Sequence, residues 1–166
     1  MTTKHRFYLD KFLNSQKKHM QGVILDIGGK KENKRGNFVP PYDLVKSWKF
    51  LNNDKLTNPD YCSNAENIPL NDFAIDGFVM CELLEHLENP EKALTEAHRV
   101  LKKGGKGWIT MPFLYQIHPD PKDYQRWTKY KLEQTLQSIG FSKIHIEPMG
   151  GVISIILDLW HAVLER

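Results

Sequence analysis

The 166-residue sequence contains only two cysteines and no long hydrophobic run. Cys62 and Cys81 lie far apart and form no CxxC pair, which excludes a disulfide scaffold and is typical of reduced cysteines in a cytosolic protein. No segment reaches the roughly 20 apolar residues that span a bilayer. The first residues carry charges and aromatic side chains where a signal peptide needs an apolar run. We therefore expect a cytoplasmic protein without a transmembrane segment.

The excess of one charge sign is also small. Twenty-three Lys and Arg against twenty Asp and Glu give a net charge of +3. A nucleic-acid-binding module usually has a larger or more clustered basic excess, so this balance makes a nucleic-acid partner unlikely on composition alone. The hydrophobic fraction of 40% and the charged fraction of 26% are those of an ordinary folded protein. The length suits one domain, residues 1–166.

Apolar segments alternate with segments of helical periodicity along the chain. This alternation predicts an α/β fold, a doubly wound, mostly parallel, Rossmann-like sheet with helices on both faces. It divides into an N-terminal helix (1–20), a core (21–151) and a C-terminal helix (152–166). The predicted strands are residues 23–27, 48–51, 60–62, 73–80, 108–111 and 143–147, and the two helices inside the core begin at Pro90 and after Thr128.

Ligands of such sheets bind beyond the carboxyl ends of the strands, and the first strand there ends in a glycine loop. Gly28 and Gly29 follow Asp26, but Asn33 stands where a dinucleotide site would have its third glycine. The pattern therefore favours S-adenosylmethionine, which has no pyrophosphate, over a nicotinamide cofactor. Asp54, after the second strand, is placed to accept both ribose hydroxyls, because each carboxylate oxygen can take one.

Four further blocks follow in order at residues 64–69, 73–80, 81–87 and 99–105. Together they resemble the class I S-adenosylmethionine-dependent methyltransferases, specifically the type-11 group, over roughly residues 21–151. The resemblance implies S-adenosylmethionine as the cofactor and a methyltransferase as the activity. The cofactor-binding residues that it implies are the glycine-loop positions Asp26, Gly28 and Gly29, the ribose acid Asp54, the adenine-side pair Asn64 and Ala65, and the wall residues Cys81 and Glu82.

Two positions depart from the family pattern. Lys30 stands where members usually have a third loop glycine, and Asn64 where they usually have aspartate. The amide oxygen of Asn64 can accept a hydrogen bond from the adenine amino group without charge assistance, which predicts weaker binding.

The segment at residues 84–86, Leu-Glu-His, resembles a catalytic motif, but we expect its histidine to hold backbone groups in place. No metal site is expected, because the seven histidines are scattered and neither an HxxxH motif nor a cysteine cluster occurs.

The 112–128 segment follows the fifth strand and combines three prolines with aromatic, acidic, basic and imidazole side chains. Beyond a strand's carboxyl end it would face the methyl group of the cofactor. We expect His118 to act as the catalytic base, since its ordinary pKa near 6.5 suits removal of a hydroxyl proton. Asp120 or Asp123 would orient it.

Three more side chains of the 112–128 segment complete the predicted acceptor site. Arg126 would hold a polar or anionic part of the acceptor, while Tyr115 and Tyr124 would stack on a sugar face. In the alternative, Asp123 and Arg126 form an ion pair that only fixes the loop. The segment also resembles a subset of these enzymes found among genes for surface polysaccharide assembly, which implies a sugar hydroxyl or a similar small polar acceptor.

Residues 152–164 predict a C-terminal helix, because the polar residues Ser154, Asp158 and His161 recur at helical spacing. Its broad apolar face is expected to pack within the protein or in a homodimer.

Two other functions remain open. Lys30, Lys31, Lys34 and Arg35 lie beside the cofactor loop and could follow the phosphates of RNA, which would indicate an RNA methyltransferase. The altered glycine loop instead suits a non-catalytic partner subunit with a methyltransferase fold.

Overall fold

The computed structural model describes residues 4–32, 36–118 and 121–164, with side chains described up to residue 160. Its centre is a five-stranded parallel sheet in the order β3-β2-β1-β4-β5. The strands are β1 Val23–Ile27, β2 Ser47–Asn52, β3 Tyr61–Cys62, β4 Ile75–Cys81 and β5 Leu101–Thr110. The helices are α1 Lys4–Gln16, α2 Pro90–Val100, α3 Lys129–Ile139 and α4 Val152–Leu164, with short 3₁₀ turns at Lys17–His19, Lys55–Thr57 and Leu84–His86.

The sheet reverses its strand order between β1 and β4. Parallel pairing places β2 on one side of β1 and β4 on the other. The apolar residues Ile24, Leu25 and Ile27 of β1 are completely buried, which makes this strand the middle of the core. A reversal of strand order opens a crevice at the carboxyl edge of a parallel sheet. The topology therefore fixes where a ligand can bind.

Helices cover both faces of the sheet, as the alternation of segments predicted. On one face, α2 buries Ala93, Leu94 and Ala97 against a core that includes Leu136 of α3. On the other, α1 buries Leu9 and Leu13 beside β1 and β2. The doubly wound α/β class is confirmed.

Helix boundaries follow local chemistry. The Thr128 side chain accepts a hydrogen bond from the Lys131 amide at the start of α3, and Gly140 ends that helix in the left-handed region. The helix α2 ends at Val100, earlier than expected, because Leu101 already pairs with Ile75 of β4. Residues 102–104 therefore do not close the helix, and they lie in an irregular part of β5.

The predicted strand at residues 143–147 is wrong. Ile144 and Ile146 do alternate with exposed neighbours, as they would in a strand, and Ile144 packs against the core. Lys143, however, adopts a left-handed backbone with φ 54°, which interrupts the extended chain where the strand would begin. Burial of alternate residues is thus achieved without strand pairing among the described residues.

The helix α4 lies against α1, but with its polar side. The Lys4 amide donates to Asp158 Oδ1 over 3.1 Å, and Ser154 is half-buried. Ile153 and Trp160 are 76% and 65% exposed. The expectation that the apolar face packs within the protein is therefore corrected, because the polar stripe faces α1 instead. No helix in the described ranges is both long and apolar enough to cross a bilayer.

Candidate active site

A cavity of about 820 Å³ opens at the carboxyl edge of the sheet, beyond β1, β2 and β4. Residues from α1 and from the 112–128 segment also line it. The structure brings together in its walls all eight residues that the sequence assigned to the cofactor, namely Asp26, Gly28, Gly29, Asp54, Asn64, Ala65, Cys81 and Glu82.

The glycine loop leaves no room for side chains. Gly28 has φ 82°, and a Cβ on it would lie 2.8 Å from Leu83 Cδ1. A Cβ on Gly29 would lie only 2.3 Å from Asp26 Cγ, closer than real Cβ atoms approach other atoms. Glycine at both positions keeps the backbone open to close contact with a ligand. Lys30, where a third glycine was expected, also lines the cavity.

Asn52, at the end of β2, holds this loop in place, a role that the sequence analysis missed. Its side-chain amide donates to the carbonyls of Gly28 and Gly29 over 3.0 and 3.1 Å. The Gly28 amide donates to Leu51 O over 2.8 Å. These bonds tie the loop to the neighbouring strand and fix its shape.

Asp26 and Asp54 lie in different environments. Burial raises the pKa of the Asp26 carboxyl from 3.8 to about 7. Asp54 is exposed at the rim, and its Oδ1 accepts the Leu56 amide over 2.9 Å at the start of the 3₁₀ turn Lys55–Thr57. Since one oxygen of Asp54 caps that turn, the double hydrogen bond to a ribose stays a prediction.

Asn64 and Ala65 both line the cavity, and their contact with adenine stays a prediction. Ala65 is buried, and Asn64 Oδ1 accepts the Glu66 amide over 3.1 Å in a local turn. The oxygen expected to face adenine therefore already has one partner, although an amide oxygen can accept two bonds.

The wall after β4 contains a fixed carboxylate. Glu82 has φ 50° and accepts hydrogen bonds from Thr110 Oγ1 over 2.8 Å and from His5 Nε2 over 2.5 Å. Burial alone would raise the pKa of Glu82, but these bonds and the charge of His5 lower it below its ordinary value. Burial and the nearby Asp26 raise the pKa of the Cys81 thiol, so Cys81 is a wall residue and not a nucleophile.

Tyr115 and His118 also line the cavity, and their contact with an acceptor stays a prediction. The Tyr115 ring lies 4.8 Å from the ring of His5 and 5.2 Å from that of His118, between centroids. His5, on α1, is a further cavity residue that the sequence analysis did not identify.

Asp123 and Arg126 form an ion pair behind His118. The Arg126 guanidinium donates to both oxygens of the Asp123 carboxylate and to the Gln116 carbonyl. These hydrogen bonds lower the pKa of Asp123 to about 2, although burial opposes the shift. Asp123 also accepts the backbone amide of His118 over 3.0 Å. Neither residue is among those that line the cavity, and the contact of Arg126 with an acceptor stays a prediction. The two terminal nitrogens of the guanidinium fix the loop, while its Nε is buried without a hydrogen-bond partner among the described residues.

Tyr124 does not face the cavity either. It is exposed, and its hydroxyl donates to Glu88 over 2.6 Å. Its expected stacking on a sugar stays a prediction. The predicted substrate residue Asp120 lies outside the described residues.

Glu85 and His86 are the residues that the sequence analysis undervalued. Nδ1 of His86 donates to the Lys122 carbonyl over 2.6 Å, which confirms the expected structural role. Its Nε2, however, lies 3.6 Å from Glu85 Oε1. Glu85 is completely buried, and burial together with the charge of Glu82 raises its pKa to about 8. The sequence signal that could have identified them is the adjacent Glu85 and His86 shortly after β4.

A family model described as a methyltransferase domain matches residues 35–109. The matched range includes Asp54, Asn64, Ala65, Cys81 and Glu82, but it begins after the glycine loop.

Two curated relatives and one solved structure illustrate what the chain is similar to. An uncharacterised protein of Methanocaldococcus jannaschii is 31% identical over 93 residues, which cover 49% of this chain and 45% of that protein. The ubiquinone/menaquinone biosynthesis C-methyltransferase UbiE of Bartonella henselae is 23% identical over 90% of this chain and 65% of its own length. The chain thus spans between about half and two thirds of these relatives.

The solved structure is a methyltransferase of Thermotoga maritima, described as S-adenosylmethionine-dependent and as a possible histamine N-methyltransferase. Its TM-score is 0.62 at 20% identity, over 84% of this chain and 74% of that one. This likeness shows the fold. The family match over residues 35–109 and this fold make the chain similar to methyltransferases of the type-11 group, and the cofactor that this similarity implies is S-adenosylmethionine.

Proposed function

We propose that this domain transfers a methyl group from S-adenosylmethionine to a small acceptor that carries a hydroxyl group. The observation that carries the proposal is the cavity of about 820 Å³ at the strand-order reversal. One part of it is lined by the glycine loop and the other by Tyr115 and His118.

The cofactor-side residues fit the group. Gly28 and Gly29 form a cradle that any Cβ would fill. Asp26 and Asp54 place carboxyl groups at the ends of β1 and β2, where they would meet the ammonium and the ribose. When bound, S-adenosylmethionine supplies an electrophilic methyl group.

The acceptor-side residues can remove a proton. Nδ1 of His118 donates to the Gln116 carbonyl over 3.1 Å and lies 3.4 Å from Asp123 Oδ2. This arrangement leaves the lone pair of the neutral ring on Nε2, which is where a base must accept the hydroxyl proton. Asp123 acts here as a positioning residue, since it holds both the ring and the backbone of His118.

The acceptor class has two candidates. The 112–128 segment led us to expect a sugar hydroxyl in polysaccharide biosynthesis. The Bartonella henselae relative is named as a ubiquinone/menaquinone biosynthesis C-methyltransferase, which favours a quinol. Loss of a hydroxyl proton raises the nucleophilicity of the oxygen and, in a quinol, of the neighbouring ring carbon. The same base therefore serves either acceptor, and the relative makes the quinol the first one to test.

The test uses radiolabelled S-adenosylmethionine with a panel of short-chain hydroquinones, nucleotide sugars, glycans and RNA. We expect label on a hydroxyl-bearing small molecule. The variant His118→Ala should lose about 10²–10⁴-fold of the rate with its cofactor affinity retained. His145→Ala is the matched control, because that side chain is exposed and remote from the cavity. Equal turnover in His118→Ala would remove His118 from the mechanism.

Calorimetry separates the remaining alternatives. A non-catalytic partner subunit with a degenerate site would bind no S-adenosylmethionine, and that result would overturn the proposal. Lys30 and Lys31 line the cavity, while Lys34 and Arg35 lie outside the described residues. A gel shift that weakens with salt, together with label on RNA, would favour the RNA methyltransferase instead.

A further inference from the structure

We propose that Glu85, His86 and His118 bind one divalent transition-metal cation at the acceptor side of the cavity. One ligand atom of each of these side chains lies within 4.8 Å of the other two. From the sequence we expected no metal site, because the histidines are scattered along the chain, whereas the fold brings these three residues together from two separate segments.

The Glu85 carboxyl lies in an environment that favours a bound cation. The side chain is completely buried, and neither oxygen has a hydrogen-bond partner among the described residues. A buried carboxyl without partners is costly, and native proteins normally satisfy such groups. A cation bound to it would supply the missing interaction.

The two histidine rings are oriented in the way that metal ligands usually are. Nδ1 of His86 donates to the Lys122 carbonyl, and Nδ1 of His118 donates to the Gln116 carbonyl. Both rings therefore present Nε2 as the atom with the free lone pair. Metal-binding histidines commonly donate their other ring nitrogen to a backbone carbonyl or a carboxylate in this way, which fixes the tautomer and the ring orientation.

The distances from the two histidine Nε2 atoms to the Glu85 carboxyl are close to those between the ligand atoms of a metal site. The Nε2 atoms of His86 and His118 lie 3.6 and 3.8 Å from Glu85 Oε1. Metal–ligand bonds of about 2.0–2.2 Å place neighbouring ligand atoms of a tetrahedral site roughly 3.3–3.5 Å apart. These two separations are close to that range, and all three ligand atoms lie within 4.8 Å of one another.

The composition of the cluster indicates which cation it would take. Two imidazoles and one carboxylate suit zinc, iron, cobalt or manganese better than calcium or magnesium. Three protein ligands leave coordination positions open, as in catalytic metal sites. Because His86 and His118 both line the cavity, the open positions face it.

The inference deepens the proposed function and rests on it only for the role of the metal. A cation there lowers the pKa of a hydroxyl that it binds. The cation would then activate the hydroxyl in place of a free imidazole base, and His118 would serve as a ligand of the cation. Metal binding itself is independent of methyl transfer.

The experiment titrates chelator-treated protein with Co²⁺, without S-adenosylmethionine, and follows the visible absorption of the bound ion. We expect one equivalent to bind, and Zn²⁺ to displace it. Glu85→Gln and His118→Ala should each weaken binding by at least about 100-fold, since each removes a direct ligand. His145→Ala, outside the cluster, should bind like the unmodified protein.

Circular dichroism checks that each variant is folded, and His86→Gln replaces Glu85→Gln should the latter fail to fold. Substoichiometric Co²⁺ binding, or equal affinity in the ligand variants, would overturn the inference. Calorimetry with S-adenosylmethionine alone distinguishes failure of this inference from failure of the proposed function. The cofactor can bind when the metal does not, and the metal can bind when the cofactor does not.

Discussion

Gly29 shows how one missing side chain shapes the site. Asp26 occupies the space that a Cβ at position 29 would need. The carboxyl and the glycine therefore depend on each other, and the loop keeps its open shape only while both are present.

The first prediction tests that dependence. Gly29→Val should abolish measurable S-adenosylmethionine binding, because the new side chain displaces Asp26 and fills the cradle. Gly151→Val is the control, since a Cβ at that glycine meets no atom within 4 Å. Calorimetry measures both. Unchanged affinity in Gly29→Val would mean that the ligand does not lie on this loop.

The second prediction concerns pH. The pKa of Asp26 is about 7 in the folded protein and near 3.8 when unfolded. Between these values the folded state holds more protons, so stability should fall as pH rises from about 4 to 7 and then stay level. Asp26→Asn should remove this loss, by an amount on the order of a few kcal/mol. Urea unfolding at pH 5 and pH 8 measures it.

Asp60 provides a control, because its pKa is shifted in the opposite direction to that of Asp26. Burial opposes the shift, but hydrogen bonds from the Phe50 amide and from Lys49 lower the pKa of Asp60. Its contribution to stability is therefore present above the ordinary pKa and lost in acid. Asp60→Asn should reduce stability at neutral pH, whereas Asp26→Asn should increase it. The same sign for both variants would contradict the assignment of Asp26.

At the level of elements, the 112–128 segment is held at both of its ends. It begins after β5 and ends at Thr128, whose side chain accepts the Lys131 amide over 3.3 Å. The ion pair of Asp123 and Arg126 fixes the part between. A cap and an ion pair together position His118, although the segment has no regular secondary structure.

The third prediction follows from the cap. Thr128→Ala should lower the free energy of unfolding by about 0.5–2 kcal/mol, because the Lys131 amide loses its partner. Thr128→Ser should retain most of the stability, since serine caps equally well. Thr95→Ala is the control, because Thr95 lies inside α2 and donates to Glu91 O. A loss in Thr128→Ser as large as in Thr128→Ala would show that the hydroxyl is not the cause.

The sequence predicted those features of the fold and the site that depend on contiguous residues. It predicted less well those that depend on contacts between distant segments. The order of strands and helices and the cofactor side of the cavity follow from contiguous patterns, such as the apolar β1 ending in Gly28. The acceptor side was predicted only in part, because Glu85 and His118 meet through a loop whose path no short pattern determines. No short pattern indicates either that the Tyr124 hydroxyl donates to Glu88. The strand at 143–147 failed because alternation reports burial and not backbone pairing.

At the scale of the whole molecule, most described apolar side chains of α4 are exposed to solvent and few contribute to the hydrophobic core. Its periodicity correctly predicted a helix, but not which side is covered. Polar residues contact α1 and apolar ones are exposed, including Val152, Ile153, Leu159 and Trp160. Exposed apolar groups of this kind commonly mark an interaction surface.

The homodimer through α4 stays a prediction, and it is the fourth. Ile153→Glu should shift the protein from dimer to monomer in sedimentation velocity, because a charge would be placed in the apolar contact. Leu56→Glu introduces the same charge at another side chain, 81% exposed and outside α4, and should leave the dimer intact. A monomeric parent protein would exclude the dimer.

The first helix has a consequence for how this domain can be cut. His5, Arg6, Leu9, Asp10 and Leu13 of α1 all belong to the cavity wall, although the range matched by the family model begins only at residue 35. A recombinant fragment trimmed to that range would lose both α1 and the glycine loop. The shortest fragment suitable for expression must therefore include all the segments that line the cavity, and not only the range that matches the family model.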